Sequence, residues 1–493
     1  MADNLKQKAL TGAIWSGVHK FAITLLGFIS GIVLARLLTP HDYGVIGMLT
    51  IFLALSQTFI DGGFGSALIQ KKSPTDTDYS TILYWNIGLS IILYIILFFS
   101  APLVASFYNL PILSKVLRVQ GFVLIINAAR IVQRNQLRKK LQFKKIAVIN
   151  VSANLIALAA TIYLAKLGWG VWALVAQQLL VALLTTSLYW ITSKWKPLLI
   201  FSKKSFKELF SFGGYILLSN LFSTVCGNIQ GLFIGKIYNS STLGLYTKAM
   251  RTESYSSTFI SSVLDQVSYP VLSESQNDRS RMIRVIKQFI TTSAYITFPL
   301  MFILILLAKP LFLLLYSDRW LDSVPYFQIL CIAGIAISIQ NINYFAVAAL
   351  GKSKELLKWT FIKRSIGLLL VVGGLFLYGI YGLLFGSVAA SWIIYFINAR
   401  LASIFVGYSM KQQLLDLFPI TLLSIVAFVL SYCIAFIPGI GFYLKGIIQL
   451  VVFLSIYLLL SFALKLDSLK STRYTINLIK EKFFKSFSFV KRT

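Results

Sequence analysis

The chain has 493 residues, of which 57% are hydrophobic and 13% are charged, and its mean hydropathy is +0.78. Because soluble domains carry about 25% charged residues, this composition excludes an ordinary soluble protein and predicts a polytopic membrane protein. The net charge of +30 would indicate nucleic acid in a soluble chain, but basic loops explain it in a membrane protein. No nucleic-acid partner is therefore expected.

Apolar stretches follow one another along the whole chain. Each is about 20 residues or longer, enough to cross about 30 Å of hydrocarbon as a helix. About fourteen spans are predicted, at residues 12–38, 43–62, 79–106, 111–134, 144–166, 169–193, 209–236, 243–268, 285–316, 322–349, 356–378, 381–406, 412–436 and 442–464. The predicted fold class is an all-α polytopic membrane protein.

Lys and Arg collect in every second connecting loop, which is the pattern of cytoplasmic loops. The basic loops lie at residues 71–72, 134–145, 194–207, 279–284 and 352–358, whereas the loops between them carry few cations. This alternation supports the helix count and predicts that both termini are cytoplasmic. The basic tail, residues 465–493, is expected to lie against anionic membrane lipid rather than to form a dedicated partner site.

The sequence also repeats itself. At an offset of 200 residues, Gly31, Arg36 and Gly44 fall on Gly231, Lys236 and Gly244. Further matches follow at slightly larger offsets, as small loop insertions between two copies of one structural unit would produce. Duplicated helical halves in a membrane are typical of transporters whose pathway lies between the halves.

Several classes of catalysis are disfavoured by what the sequence lacks. The predicted loops are short, whereas membrane enzymes acting on lipid-linked sugars generally need an extramembrane loop or domain. There is no P-loop motif, and the chain has only two histidines and three cysteines, each cysteine within an apolar segment. The sequence therefore favours a carrier that is not an enzyme and needs no metal or other cofactor.

Charged residues inside the predicted spans are candidates for a cargo site, because charge in hydrocarbon is costly and usually faces a cavity. Arg36 and Lys236 occupy equivalent places at the outer ends of the first helix of each repeat. Their side chains either snorkel to the interface or line the rim of a two-lobed cavity. Arg130, in the lower half of the fourth span, is a further candidate for a cavity cation.

The eighth span carries three charges in its first half to middle: Lys248, Arg251 and Glu253. Lys248 and Arg251 are three residues apart, so they are predicted to share one helix face and to point into the cavity. Glu253 points elsewhere and is the one acid deep enough to serve as a proton or sodium site. The corresponding positions of the first repeat are apolar, so the charges belong to the second repeat alone.

Other charges in the spans are given structural roles. Asp61 and Asp265 lie at the inner ends of the second helix of each repeat, which favours local capping or pairing over ion coupling. Lys363, Arg364 and Arg400 lie within two turns of cytoplasmic ends and are expected to snorkel. A cavity rich in cations and poor in acids favours a large or lipid-linked anion as cargo.

Four segments resemble a known exporter family. They are residues 11–16 (TGAIWS), 34–44 (LARLLTPHDYG), 62–71 (GGFGSALIQK) and 83–86 (LYWN). They resemble the polysaccharide-export branch of the multidrug/oligosaccharidyl-lipid/polysaccharide exporter superfamily, in particular the Wzx-type translocases of the colanic-acid-exporter-like group. The similarity runs through most of the chain and is strongest near its beginning.

The resemblance implies two pseudo-symmetric six-helix bundles arranged as a V, with two additional helices. On this chain the N-terminal lobe would be residues 1–204, the C-terminal lobe 205–408, the additional helices 409–464 and the cytoplasmic tail 465–493. It also implies that the protein flips undecaprenyl-pyrophosphate-linked oligosaccharide across the bacterial inner membrane by alternating access, for lipopolysaccharide or exopolysaccharide synthesis. Glycosyltransferases and a polysaccharide polymerase would be its neighbours.

Two other cargoes stay open within the same superfamily. A lipid II flippase is the main alternative, because lipid II is also a lipid-linked anion. A small-molecule or drug exporter would be expected to place acids in its cavity, and the excess of cations disfavours it. Division and peptidoglycan genes beside this gene would favour lipid II, whereas polysaccharide genes would favour oligosaccharide.

Overall fold

In a computed structural model, the chain is almost entirely α-helical, and the described residues contain no strand. The structure describes residues 2–439, 441–466, 468–469 and 472, without the side chains of 2–10, 13, 212, 258–267 and 353. Most of the predicted basic tail therefore lies outside the described residues. The helices are α1 (Ala2–Leu37), α2 (Pro40–Asp61), α3 (Phe64–Gln70), α4 (Asp76–Phe107), α5 (Ile112–Gln120), α6 (Phe122–Ala128), α7 (Ile131–Lys139), α8 (Phe143–Lys166), α9 (Val171–Thr192), α10 (Lys203–Ile237), α11 (Ser240–Glu274), α12 (Arg279–Leu306), α13 (Ala308–Tyr316), α14 (Val324–Ala349), α15 (Ser353–Phe405), α16 (Met410–Tyr432) and α17 (Phe442–Ala463).

Twelve helical segments of the described chain are long and apolar enough to cross a membrane. One of them, Lys354–Phe405, contains two helices, because Tyr378 and Gly379 leave the helical region and Gly379 has a φ of 64°. The 35-residue α11 is not among the twelve, since polar residues are frequent along it. Counting the broken segment as two helices and adding α11 gives the predicted fourteen. The all-α membrane fold is confirmed.

Three of the helices begin with a capping box, which is a signal readable from the sequence. At the start of α2, the backbone N–H of Thr39 donates to the Asp42 carboxylate over 2.9 Å, and the Asp42 N–H donates back to the Thr39 hydroxyl over 3.3 Å. Thr75 with Asp78 caps α4, and α16 begins in the same way. These boxes satisfy N–H groups that the first turn of a helix leaves unpaired.

The predicted fourth span is broken into α5, α6 and α7. The breaks fall at Gly121 and at Ala129 and Arg130, and side chains of α9 bond to carbonyl groups at the second break. Thr186 donates to the Ile126 carbonyl over 3.0 Å, and the Trp190 indole donates to the Ala129 carbonyl over 2.9 Å. Non-helical backbone at membrane depth is tolerated where the protein supplies such partners.

The described chain divides into two compact units, Met1–Thr247 and Lys248–Thr493. In the first unit, α2 and α10 pack side by side, and Thr58 and Thr224 share a hydrogen bond of 3.0 Å between their hydroxyls. The contact continues at the start of α11, where Gly44 lies against the backbone of Ser240 and Gly244 lies against the backbone of Pro40. The lobe boundary between residues 204 and 205 stays a prediction.

Ion pairs hold the loop after α3 to the start of α10. Lys71 contacts the carboxylates of both Asp78 and Glu208 over 3.0 Å. Burial lowers the pKa of Lys71, but hydrogen bonds to Glu208 and Asp78 outweigh it and raise that pKa above its ordinary value. Lys71 therefore stays charged and keeps α3, α4 and α10 together at this end of the first unit.

In the second unit, α12 packs against α14, α16 and α17. The Ser293 hydroxyl donates to the Ser338 carbonyl over 2.9 Å, and the Tyr457 hydroxyl donates to the Tyr295 carbonyl over 2.9 Å. Trp320, next to α13, is fully buried in this unit. The last two helices are thus packed into the second unit by both apolar and polar contacts.

Candidate functional site

Arg36 and Lys236 lie at matching places in the first unit, each in the last turn of its helix. Both side chains are exposed. Lys236 Nζ donates to the Phe107 carbonyl over 2.5 Å and lies 4.6 Å from the centre of the Phe107 ring. A cation near a helix C-terminus is stabilised by the helix dipole, which gives both residues a structural role. Their predicted place at the rim of a cargo cavity stays a prediction.

Arg130 lies at the break between α6 and α7. It is half-buried, and its guanidinium donates to the hydroxyl of Thr185 on α9. Arg134 and Arg138 follow at intervals of about one helical turn, so the three side chains form a row along α7 that begins at its N-cap, Arg130. We call these three residues the arginine row. Sequence reasoning assigned Arg134 and Arg138 only to a basic loop and missed the row.

The far end of α7 is held as firmly as its start. Lys139 Nζ donates to the carbonyl groups of Leu68 and Ile69 over 3.1 and 3.3 Å, at the end of α3. Because both ends of α7 are anchored, the row has a defined place on a helix that packs against α3, α8 and α9.

Asp61 is the last residue of α2 and interacts electrostatically with this row. Its carboxylate accepts a hydrogen bond from Gln57 over 3.1 Å and interacts with Arg130, Arg134 and Arg138. Local pairing was the predicted role of Asp61, and Gln57 is its local partner. The side chain of Asp265, for which the same role was predicted, lies outside the described residues.

Lys248 is buried in the second unit, with 4% of its surface exposed. Its ammonium lies 3.9 Å from the ring centre of Tyr316 and 5.3 Å from that of Trp320. Aromatic faces stabilise such a cation electrostatically where water is excluded. The Tyr316 hydroxyl is in turn within 3.0 Å of the Thr252 hydroxyl, which fixes the ring beside the lysine.

Arg251 is exposed, although it is only three residues from Lys248. Residues three apart share a helix face. Here that face is buried in the unit at Lys248 and reaches the surface of the unit at Arg251. The structure therefore does not bring both cations into one environment. Arg251 is the member of the pair that a ligand could reach in this conformation.

Glu253 is buried on α11, with 5% of its surface exposed. One carboxylate oxygen, Oε1, has no hydrogen-bond partner among the described residues, and Ser257 bonds the carboxylate. A Cβ atom at Gly334 of α14 would collide with Oε1, so glycine at 334 makes room for the carboxylate. An unpaired buried carboxylate oxygen is costly, which fits a group that takes up a proton or a cation.

Lys363 was predicted to snorkel, and this prediction is wrong. Only 6% of its surface is exposed, and its Nζ donates to the side-chain oxygen of Asn398 over 2.6 Å. The ring of Tyr344 lies 5.5 Å away. The signal available in the sequence was Asn398, a polar residue within an apolar span that could serve as a buried partner for Lys363. Arg364 and Arg400 are exposed, as snorkelling requires.

Comparison with known proteins identifies relatives over most of the chain. Residues 33–325 match the model of a family described as "Polysaccharide biosynthesis protein". The chain is 25% identical over 375 residues to the teichuronic acid biosynthesis protein TuaB of Bacillus subtilis, covering 75% of this chain and 76% of TuaB. It is 23% identical to the lipopolysaccharide biosynthesis protein WzxC of Escherichia coli, covering 90% of this chain and 89% of WzxC.

Among solved structures, the lipid II flippase MurJ in an inward closed conformation has the same fold, with a TM-score of 0.73. The alignment covers 91% of this chain and 98% of MurJ at 17% sequence identity. That identity supports a shared fold and nothing finer. The resemblance and the superfamily fold predicted from the sequence are both confirmed.

Proposed function

The chain belongs to the polysaccharide biosynthesis protein family, and on that basis we propose that it flips undecaprenyl-pyrophosphate-linked oligosaccharide across the bacterial inner membrane. The observation that carries this proposal is the similarity to WzxC, named a lipopolysaccharide biosynthesis protein, over 90% of the chain. The flippase-type fold supports it, since a lipid-linked cargo needs a path through the membrane rather than a catalytic centre. The protein then acts as a carrier and not as an enzyme.

The exposed cations supply the binding chemistry that this cargo needs. A pyrophosphate diester carries two negative charges, and guanidinium groups bind phosphate oxygens through paired N–H donors. Arg36, Arg130, Lys236 and Arg251 are each at least partly exposed, whereas Lys248 is held behind aromatic rings. In this proposal the four accessible cations can bind the cargo directly, and Lys248 contributes after a change of conformation.

Alternating access follows from the same chemistry. A ligand shifts a conformational equilibrium only if it binds one state more tightly than the other. Buried Lys248 would gain an anionic partner only in a state that opens the second unit around α11, so cargo would favour that state. Glu253, two turns or less away on the same helix, would then couple the change to proton or sodium uptake.

The orientation of the carrier is part of the proposal. If the basic loops are cytoplasmic, both termini lie in the cytoplasm, and the loops at 71–72 and 194–207 lie on the side where the cargo is made. Anionic membrane lipid would contact these loops and the basic tail. Glycosyltransferases and a polymerase would work before and after the flipping step.

Deletion of the gene tests the proposal directly. The expected result is loss of surface polysaccharide, together with accumulation of lipid-linked repeat units on the cytoplasmic side of the membrane. Surface polysaccharide is measured by carbohydrate staining of cell extracts. The amount of lipid-linked units is measured by mass spectrometry, and their side of the membrane by whether a sugar-modifying enzyme added from outside can reach them. Expression of the intact gene from a plasmid is the control and should restore the polysaccharide.

Two other results would contradict the proposal. Unchanged surface polysaccharide in the deletion strain would remove the assigned cargo. Accumulation of peptidoglycan precursor with cell lysis, and normal polysaccharide units, would assign lipid II instead.

A further inference from the structure

The arginine row concentrates positive charge on one short helix. Arg130, Arg134 and Arg138 are spaced by four residues, and like charges at this spacing destabilise a helix. Arg130 is half-buried and bonded to Thr185, whereas Arg134 and Arg138 are exposed. His19 of α1 also lies close enough to Arg134 and Arg138 to interact with them electrostatically. The row is therefore a preformed site for a negative group.

Asp61 is the negative group that the protein itself supplies to this site. A carboxylate at the C-terminus of a helix such as α2 is disfavoured by the helix dipole, so the arginines and not the helix stabilise it. Its side chain is exposed, and Gln57 orients it with help from Asn127, which donates to Gln57 over 3.2 Å. Asp61 thus has a fixed position, close enough to the row to interact electrostatically with all three guanidinium groups.

The carboxylate nevertheless leaves the guanidinium groups open. The ion pairs that the described residues form within 4.0 Å belong to Lys71 and Lys287, so Asp61 balances the row from a longer distance. The planar N–H forks of Arg134 and Arg138 match the geometry of phosphate oxygens. Once Asp61 is displaced, the three guanidinium cations are enough to neutralise the two negative charges of a pyrophosphate diester.

We propose that Arg134 and Arg138, positioned by Arg130, bind the pyrophosphate of a lipid-linked cargo, and that Asp61 is a resident anion which this cargo displaces from the row. The inference rests on the proposed function for the identity of the cargo. It adds a site in the first unit, separate from Lys248 and Arg251 of the second unit. Asp61 would keep other, singly charged anions from occupying the row, because they gain less by replacing it.

Binding of inorganic pyrophosphate to the purified full-length protein, measured by isothermal titration calorimetry in neutral-lipid nanodiscs, tests the site. Arg134→Ala and Arg138→Ala are each expected to weaken binding about tenfold, as loss of a charge-assisted hydrogen bond does. Asp61→Asn is expected to strengthen binding by about threefold or more, because it removes the competing anion. Opposite signs within one cluster distinguish binding from general damage to the fold.

Arg118→Ala is the matched control. Arg118 lies in α5 before the first break of the same span, but its guanidinium donates to the Phe98 carbonyl over 3.2 Å and lies 4.6 Å from the Phe98 ring. Pyrophosphate binding should be unchanged in this variant. If Arg134→Ala lowers the melting temperature, Arg134→Gln, which keeps the side chain as far as Cδ and a polar end without the charge, is used in its place. Unchanged binding in both arginine variants, or unchanged or weaker binding in Asp61→Asn, would overturn the proposal.

The headgroups of membrane phospholipids also carry phosphate and could bind to the row. Changing the lipid composition of the nanodisc distinguishes binding of phospholipid from binding of the cargo pyrophosphate. With phosphatidylcholine alone and with added phosphatidylglycerol, pyrophosphate should bind with the same affinity if the row is a cargo site. Competition by phosphatidylglycerol that disappears in Arg134→Ala would make the row a lipid headgroup site and overturn the assignment. If the proposed flippase function itself is wrong, the deletion strain shows this separately by keeping normal surface polysaccharide.

Discussion

Lys248 and Arg251 show how two cations on one helix are used differently. The aromatic rings of Tyr316 and Trp320 surround the Lys248 ammonium, whereas the Arg251 side chain reaches the surface. The attraction between a desolvated cation and aromatic faces is worth about 2 kcal/mol, whereas replacing a solvated surface residue changes stability within about 0.5 kcal/mol. Substitution of Lys248 should therefore affect both stability and transport, whereas substitution of Arg251 should affect transport alone.

Arg251→Ala is expected to lower export about tenfold while its melting temperature and abundance stay as in the wild type. Lys248→Ala is expected to lower both export and melting temperature, since it removes the cation from its aromatic surroundings. Export is measured as surface polysaccharide in a complemented deletion strain, and stability by thermal unfolding of purified protein. The exposed Arg284 provides the control variant Arg284→Ala, which should change neither. Wild-type export in Arg251→Ala would remove this residue from the cargo site.

At the scale of helices, the internal repeat appears as a reciprocal contact. Gly44 of α2 lies on the backbone of Ser240, and Gly244 of α11 lies on the backbone of Pro40. Gly244 and Ser240 are the positions that correspond to Gly44 and Pro40 at the offset of 200 residues. Each repeat therefore contacts the other through the same turn. Backbone-to-backbone approach of this kind requires residues without a side chain, as in other close helix pairs in membranes.

Gly44→Ala and Gly244→Ala are therefore each expected to destabilise the protein by about 1–3 kcal/mol, because the new Cβ would meet backbone atoms that cannot rotate away. The double variant should lose less than the sum of both, since the two glycines belong to one contact. Thermal unfolding of purified protein gives the comparison. Gly227→Ala on α10, where a Cβ would meet nothing within 4 Å, is the control. Equal melting temperatures for all of these variants would show that the contact is loose.

Apolar length and loop charge were enough to predict the helices, because both effects are local in the sequence. The capping boxes at Thr39 and Thr75 mark two helix starts for the same reason. The burial of Lys363 was not predictable, since it depends on Asn398, which is 35 residues away and bonded across the unit. The arginine row was missed because the break at Arg130 moves Arg134 and Arg138 from a loop onto a helix.

The orientation of the whole molecule depends on α11. This helix is 35 residues long, or about 52 Å at 1.5 Å per residue, so it is long enough to span a bilayer. It carries Lys248, Arg251 and Glu253, and its polarity keeps it out of the set of clearly apolar spans. If α11 did not cross, the chain would have an odd number of crossings and its two ends would lie on opposite sides.

Reporter fusions on either side of α11 decide this point. Alkaline phosphatase joined after Asn239 is expected to be active, and the same enzyme joined after Asn277 is expected to be inactive, because α11 returns the chain to the cytoplasm. Green fluorescent protein should give the opposite pattern, and a fusion after residue 493 should fluoresce. Fusions before and after α17 provide a control with a span of strongly apolar composition. Active phosphatase at both Asn239 and Asn277 would mean that α11 lies along one face, and Glu253 could not then link an ion to transport across the membrane.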